Sequence, residues 1–280
     1  MKLNSIANEI RDIISEKRKL LNLNFYEDTH TYEMLGRTDY LSVTKVIANF
    51  YEKFPSEEIS FRMANGNISE QKKILKSWDD AGVYSTNMGS RVHYLLEKEL
   101  IKLYGDYKEV RQPLFECNDE QIVKSDAMVS AGIKYINLMT ERNCVLLDTE
   151  MVLGDPDLGY TGQPDKVWLV ENKNKDGIGL VITDWKSNKK KNFIESFNTK
   201  RMYKPFNLYP NNALGHYYLQ LPFYGKLLIK MLEGTKYSDI KLLGCIIVHL
   251  EENGEYTEYR VPYDIIDTIL KMKASDYLKF

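Results

Sequence analysis

Cysteine is scarce in this chain, and the few present are scattered. Three cysteines in 280 residues, Cys117, Cys144 and Cys245, share no metal-ligand spacing and supply neither a disulfide framework nor an iron–sulfur cluster. That usage points to a reducing compartment. An excess of one charge is also missing. Lys and Arg number 38 against 40 Asp and Glu, a net charge of −2, so any contact with a polyanion must come from a local patch. No apolar run approaches the length of a membrane span, which argues against a membrane partner. The first residues carry Glu9, Asp12 and Glu16 where a signal peptide has its apolar core. The expectation is a soluble intracellular protein.

What is present is enough apolar residue, 43%, to build a full core. Residues 5–21 read as an amphipathic helix, and Phe25 to Leu35 as a hairpin broken at Asp28-Thr29-His30. Ser42 precedes a short helix to Phe50. The polar stretch 54–88, punctuated by Gly66 and Gly82, carries no clear period. Helix signals return from Ser90 to Leu103, and from the cap candidate Asn118, with Gln121 three residues on, to about Met139. Strand character follows in Leu147–Leu153, Thr161–Val170 and Gly179–Trp185. A helix from about Asn212 to Leu232, a strand from Ile240 to Leu250, an alternating Glu255–Val261 and a closing helix complete the chain. This order implies a mixed sheet flanked by helices, an α/β class. Residues 1–88 form a helical and hairpin elaboration and residues 89–280 the core, within one continuous domain.

The stretch Gly162-Gln163-Pro164-Asp165, followed by Asp184-Trp185-Lys186 after a long apolar run, stands out. It puts two carboxylates and an amine on neighbouring strands. In a strand, residues two apart face one side, so Asp184 and Lys186 project together while Trp185 faces away. Hard divalent cations choose carboxylate and carbonyl oxygens, and a nearby lysine can hold a phosphate or a water. Such a set suits metal-assisted phosphodiester cleavage. Taken alone, an Asp-x-Lys triplet is also what an ordinary strand-end ion pair looks like.

Two helical pairs add to it. His93 and Glu97 lie one turn apart in Gly89–Glu97 and can reach one cation; Gln220 and Tyr224 share a helical face, with Pro222 awkwardly between them. The segment after the triplet is basic: Lys189, Lys190, Lys191, Lys200 and Arg201, with Glu195 the one acid before Lys204. Phe193, Phe197, Tyr203, Phe206 and Tyr209 are interleaved with it. Lysines neutralise phosphates and aromatics stack on exposed bases, although a solvated loop with core-packed aromatics has the same composition.

The order His…Asp…Asp-x-Lys…Gln-x-x-x-Tyr resembles the RecB-like branch of the PD-(D/E)xK nuclease superfamily, most nearly the stand-alone phage exonucleases and the mitochondrial genome maintenance exonuclease group. The resemblance covers residues 89–226, and Tyr40-Leu41-Ser42-Val43-Thr44 is similar to the opening of such phage proteins. It implies a restriction-endonuclease-like core and a Mg²⁺- or Mn²⁺-dependent deoxyribonuclease, with an exonuclease on single-stranded DNA ends favoured. By resemblance, His93, Asp165, Asp184 and the Trp185 carbonyl hold the metal, and Glu150 matches a further strand glutamate. Lys186 orients or activates the attacking water, and Gln220 and Tyr224 help bind the nucleic acid. Relatives with an iron–sulfur cluster use four cysteines, which this chain cannot match. It also lacks a Gly-Lys-Ser/Thr loop, so a helicase, polymerase or recombination partner would be another chain. The implied setting is cytoplasmic, in a bacterium or a phage-infected cell. A structure-specific endonuclease and a catalytically silent nucleic-acid-binding module are the alternative readings.

Overall fold

The computed structural model describes residues 2–105, 108–171, 177–194 and 200–278. Helix α1 (Lys2–Leu20) buries Ala7, Ile10 and Ile14 on one face, the spacing of an amphipathic helix. Strands β1 (Asn24–Tyr26) and β2 (Thr31–Glu33) form the expected hairpin, turned by a 3₁₀ segment at Glu27–Thr29. Strand β3 (Leu41–Ser42) leads into α2 (Val43–Ile47), where the Ser42 hydroxyl accepts the Lys45 amide at the helix start.

The polar stretch that carried no period is helical. It forms α3 (Ser56–Met63) and most of the first half of α4 (Ile68–Tyr104), a 37-residue helix that runs unbroken through Gly82 and residues 88–89. A Cβ at Gly82 would meet nothing within 4 Å, so that glycine marks no close approach. Helix α4 buries Met88, Val92, Leu96 and Leu100 in its second half. Helix α5 (Asp119–Glu141) opens on the expected capping box of Asn118 and Gln121.

The central sheet has five strands in the order β10-β9-β8-β7-β4. Strands β4 (Val145–Thr149), β7 (Lys166–Glu171) and β8 (Ile178–Lys186) pair antiparallel in turn. Between β4 and β7 the chain makes two short strands, β5 (Leu153–Asp155) and β6 (Tyr160–Gly162), which join β3 in a separate sheet. After β8 come α6 (Lys190–Ile194) and α7 (Ala213–Leu232). Strand β9 (Lys241–Leu250) then lies parallel to β8, β10 (Tyr256–Arg260) turns back beside it, and α8 (Tyr263–Lys271) follows. The architecture is mixed α/β, with helices and mixed sheets.

Two of the expected strands are broken. Leu147–Leu153 splits because Glu150 takes a left-handed backbone, φ 43°, which ends β4. Thr161–Val170 splits at Gln163-Pro164-Asp165, where a proline has no amide for the ladder. Helix α7 continues through Pro222.

The sheet separates two apolar layers. Alternation sends Leu180 and Ile182 of β8 toward α1 and α7, and Trp185 into the layer built with α4 and α5. There Trp185 meets Tyr135 edge-on at 5.5 Å. No helix among the described residues is long and apolar enough to cross a membrane.

Candidate active site

Strand register builds the centre. Thr149 pairs with Lys166, and Lys166 pairs with Thr183. One step further along the same ladders, Glu150 stands opposite Asp165 and Asp165 opposite Asp184. The Glu150 amide donates to the Asp165 carbonyl at 3.0 Å, which extends the pairing past the end of β4. Gln163 fastens the same corner by donating to the Glu150 carbonyl at 3.1 Å. Three carboxylates therefore lie in a row across one end of the sheet. Paired positions of antiparallel strands share a face.

Helix α4 brings His93 to this row. One ring nitrogen, Nδ1, lies 3.5 Å from Asp165 Oδ2, and Nε2 lies 3.1 Å from the Trp185 carbonyl oxygen. His93, Glu150 and Asp165 each offer a ligand atom within 4.8 Å of the others, so this trio can hold a metal ion. An imidazole and two carboxylates, with a backbone carbonyl beside them, make a donor set for a hard or borderline divalent cation. The electrostatics agree with that chemistry. Burial pulls the His93 pKa down, helped by Lys166 and Lys186 against Asp165, so the ring keeps the neutral form a metal needs. Burial, then the charges of Asp165 and Glu97, push the Glu150 carboxyl well above the usual carboxylate range.

Asp184 sits on the lysine rather than in the trio. Its buried Oδ2 lies 2.5 Å from the Lys186 ammonium, the alternation partner two residues on. Burial and the neighbouring Asp165 charge raise the Asp184 pKa, while Lys186 partly opposes them. Asp165 moves the other way. Burial would raise it, but His93, Lys166 and Lys186 together hold it well below the usual range. The two neighbouring carboxyl groups thus shift in opposite directions, as a pair that titrates together does. Asp165 Oδ2 also accepts the Trp185 amide at 2.9 Å. Burial would lower the Lys186 pKa, but Asp184, Asp165 and Tyr217 raise it, so the ammonium stays charged. Its charge also lies 4.4 Å from the Tyr217 ring centroid.

No protein-family model and no curated protein matches this chain.

The centre opens on a cleft of about 630 Å³ lined by His93, Glu150, Gln163, Gln220 and Tyr224, among others. The α7 pair expected to share a face does so, Gln220 donating to the Tyr224 hydroxyl at 2.6 Å. Glu97 lines the same cleft but is not part of the trio. It accepts the Thr149 hydroxyl at 2.7 Å and pairs with Lys108 at 3.1 Å.

The basic segment divides. Lys189, Lys190 and Lys191 are exposed around the start of α6. Lys200 is also exposed but pairs with Glu52 at 2.6 Å, and Arg201 donates to the Leu208 carbonyl at 2.8 Å. The aromatics expected among them are largely structural: Phe193 and Phe206 are core residues, and Phe193 stacks on His249 at 4.7 Å. Tyr209 donates to Asp264 at 2.7 Å, while Tyr203 is exposed. Glu195 and Phe197 lie outside the described residues.

Lys166 was not foreseen. It is buried, 3.4 Å from Asp165 Oδ2 and 4.0 Å from the Trp185 ring centroid. A lysine directly after the Pro-Asp pair was a readable signal, because it follows a carboxylate into an apolar strand.

Proposed function

We propose that this chain is a metal-dependent deoxyribonuclease with a restriction-endonuclease-like core, an exonuclease acting on single-stranded DNA ends. The observation that carries the reading is the carboxylate row Glu150–Asp165–Asp184, with His93 at one side and the Lys186 ammonium held on Asp184. Asp165 directly precedes β7, the Asp-x-Lys of the resemblance ends its antiparallel partner β8, and α4 and α7 bring in the histidine and the Gln/Tyr pair.

His93, Glu150 and Asp165 would hold Mg²⁺ or Mn²⁺, with the Trp185 carbonyl adjacent. When bound, such an ion lowers the pKa of a water and clamps phosphate oxygens. The chain's own groups fit around that chemistry. Lys186, kept protonated, cannot take a proton from water; its part is to orient that water and balance charge gathering on the phosphate. Asp184 fixes the ammonium in place. Gln220 and Tyr224 offer an amide and a hydroxyl to the substrate from the cleft wall. Lys189 and Lys190, exposed beyond the strand end, suit phosphates further along the strand.

The test is purified protein with Mg²⁺ or Mn²⁺ on linear and circular single strands and on duplex DNA, labelled at one end. Cleavage of the linear strand with the circle left whole is expected. Asp165→Asn and Lys186→Met are expected to lose about 10²–10³-fold in rate. Undiminished cleavage by either variant overturns the site, and nicking of the circle makes the enzyme an endonuclease. Binding that survives chelation, with no cleavage under any metal, makes the chain a silent binding module.

A further inference from the structure

We propose that the β1–β2 hairpin forms a stacking subsite for one unpaired DNA base in the cleft that holds His93 and Glu150; this rests on the nuclease reading. Phe25, His30 and Tyr32 all line that cleft. Phe25 and Tyr32 are direct cross-strand partners, and their rings sit 4.6 Å apart at 36°. His30 follows the 3₁₀ turn with a left-handed backbone, φ 52°, a conformation unusual for a residue with a side chain. It brings the imidazole edge-on to Phe25, 5.2 Å away at 80°.

The three rings thus form one aromatic wall on a two-stranded sheet that is separate from the central sheet. Phe25 and Tyr32 are half-buried and His30 is exposed, so the wall is not sealed inside the core. Tyr32 lines the same cleft as His93 and Glu150. Burial and then the Glu150 charge raise its hydroxyl pKa. A cleft of about 630 Å³ falls in the usual range for small-molecule sites of about 300–1,000 Å³.

A nucleobase is the ligand part that suits this wall. Its flat face stacks on aromatic rings whatever its sequence, and its phosphate then lies toward His93 and Glu150. A base inside a duplex has both faces covered by its neighbours. The wall therefore selects unpaired or frayed ends, and it is a specificity device rather than part of the reacting group.

The experiment uses a single-stranded oligomer with 2-aminopurine at its end, in Ca²⁺, reading fluorescence for stacking and anisotropy for binding. Wild-type protein is expected to quench the terminal fluorophore on binding. Phe25→Leu keeps apolar volume, and His30→Asn keeps a residue that tolerates the left-handed backbone. Each is expected to lose the quench and to weaken binding roughly tenfold. With Mg²⁺, each is expected to raise KM for the single strand more than it lowers kcat. Binding without quenching, or quenching that both variants retain, overturns the stacking subsite and leaves the nuclease reading standing. Failure of the wild-type protein to bind the oligomer at all overturns both.

Discussion

The buried Lys166 ammonium lies 4.0 Å from the centroid of the Trp185 ring and 3.4 Å from Asp165 Oδ2 of the metal-capable trio. Trp185 faces the apolar layer, so this lysine is held between an aromatic face and the carboxylate row. Burial lowers its pKa, and Asp165, Asp184 and Glu150 oppose that fall. The two lysines therefore sit in different electrostatic settings. Lys186 sits on Asp184, at the end of β8, and Lys166 pairs with Asp165.

Lys166→Met tests this difference. Removing one partner of a buried ion pair leaves a charge without compensation, and about 3 kcal/mol of folding stability should be lost. The same change removes a positive charge next to Asp165, so Mn²⁺ should bind more tightly. Denaturant titration and metal-binding calorimetry check the two effects. A variant that binds metal more weakly while remaining folded would show that Lys166 positions Asp165 rather than opposing the cation.

Metal binding should release protons. Glu150 and Asp184 both hold their protons to higher pH than free carboxyls. A cation favours the ionised form, so apparent affinity should rise with pH through their raised titration range. Calorimetry in buffers of different ionisation enthalpy measures the released protons directly. A binding heat that does not depend on buffer would mean that the row is already ionised.

Much of this fold was legible because its signals are local. Ser42, Asn118 and Asn212 accept amides at helix starts as their sequence positions imply. Alternation alone put Asp184 and Lys186 on one side and Trp185 on the other. What was not legible depends on register between distant segments. Glu150 joins Asp165 only because Thr149 pairs with Lys166, a pairing that no local pattern encodes. The position of Lys166 after Asp165 is visible in the sequence, but its burial against Trp185 depends on β7 lying between β4 and β8. Phe193 and Phe206, spaced among lysines, read as base-stacking candidates, and they are buried by residues distant in the chain, His249 of β9 against Phe193 and Phe50 against Phe206.

Lys189 and Lys190 should act on affinity and leave chemistry intact. Each phosphate neutralised on a single strand contributes about −0.7 to the slope of log K against log salt. The double variant Lys189→Ala, Lys190→Ala should flatten that slope by about 1.4 if both lysines meet phosphates. Its kcat at saturating DNA should be unchanged. An unchanged salt slope would place the strand elsewhere on the surface.

His216 supplies a pH effect on stability away from the centre. It stacks on Tyr51 at 3.6 Å, and burial lowers its pKa from 6.5 to about 4. Between those values the unfolded chain binds a proton that the folded chain refuses. Stability should therefore fall as pH drops from about 6.5 toward about 4 and gain nothing further from this group below that. His216→Phe keeps a ring on Tyr51 and removes the titration, so its melting temperature should vary less with pH across that window.

Gly162 opens the Gly-Gln-Pro-Asp stretch for a steric reason. A Cβ placed there would lie 2.6 Å from Tyr224 Cε1 and 2.8 Å from Val43 Cγ2, closer than real Cβ atoms approach. Gly162→Ala must therefore displace the Tyr224 ring or the Val43 side chain, with overpacking of about 1–3 kcal/mol. Tyr224 accepts the Gln220 hydrogen bond, so movement of the ring disturbs that pair in the cleft wall. Asp165 and the metal-capable trio lie beyond the Pro164 turn. The variant should lose folding stability and DNA affinity while binding Mn²⁺ as tightly as the wild type. Denaturant titration, anisotropy and calorimetry on the same preparation separate these outcomes. Loss of Mn²⁺ binding in a folded Gly162→Ala protein would mean that the glycine sets the path of Asp165 itself.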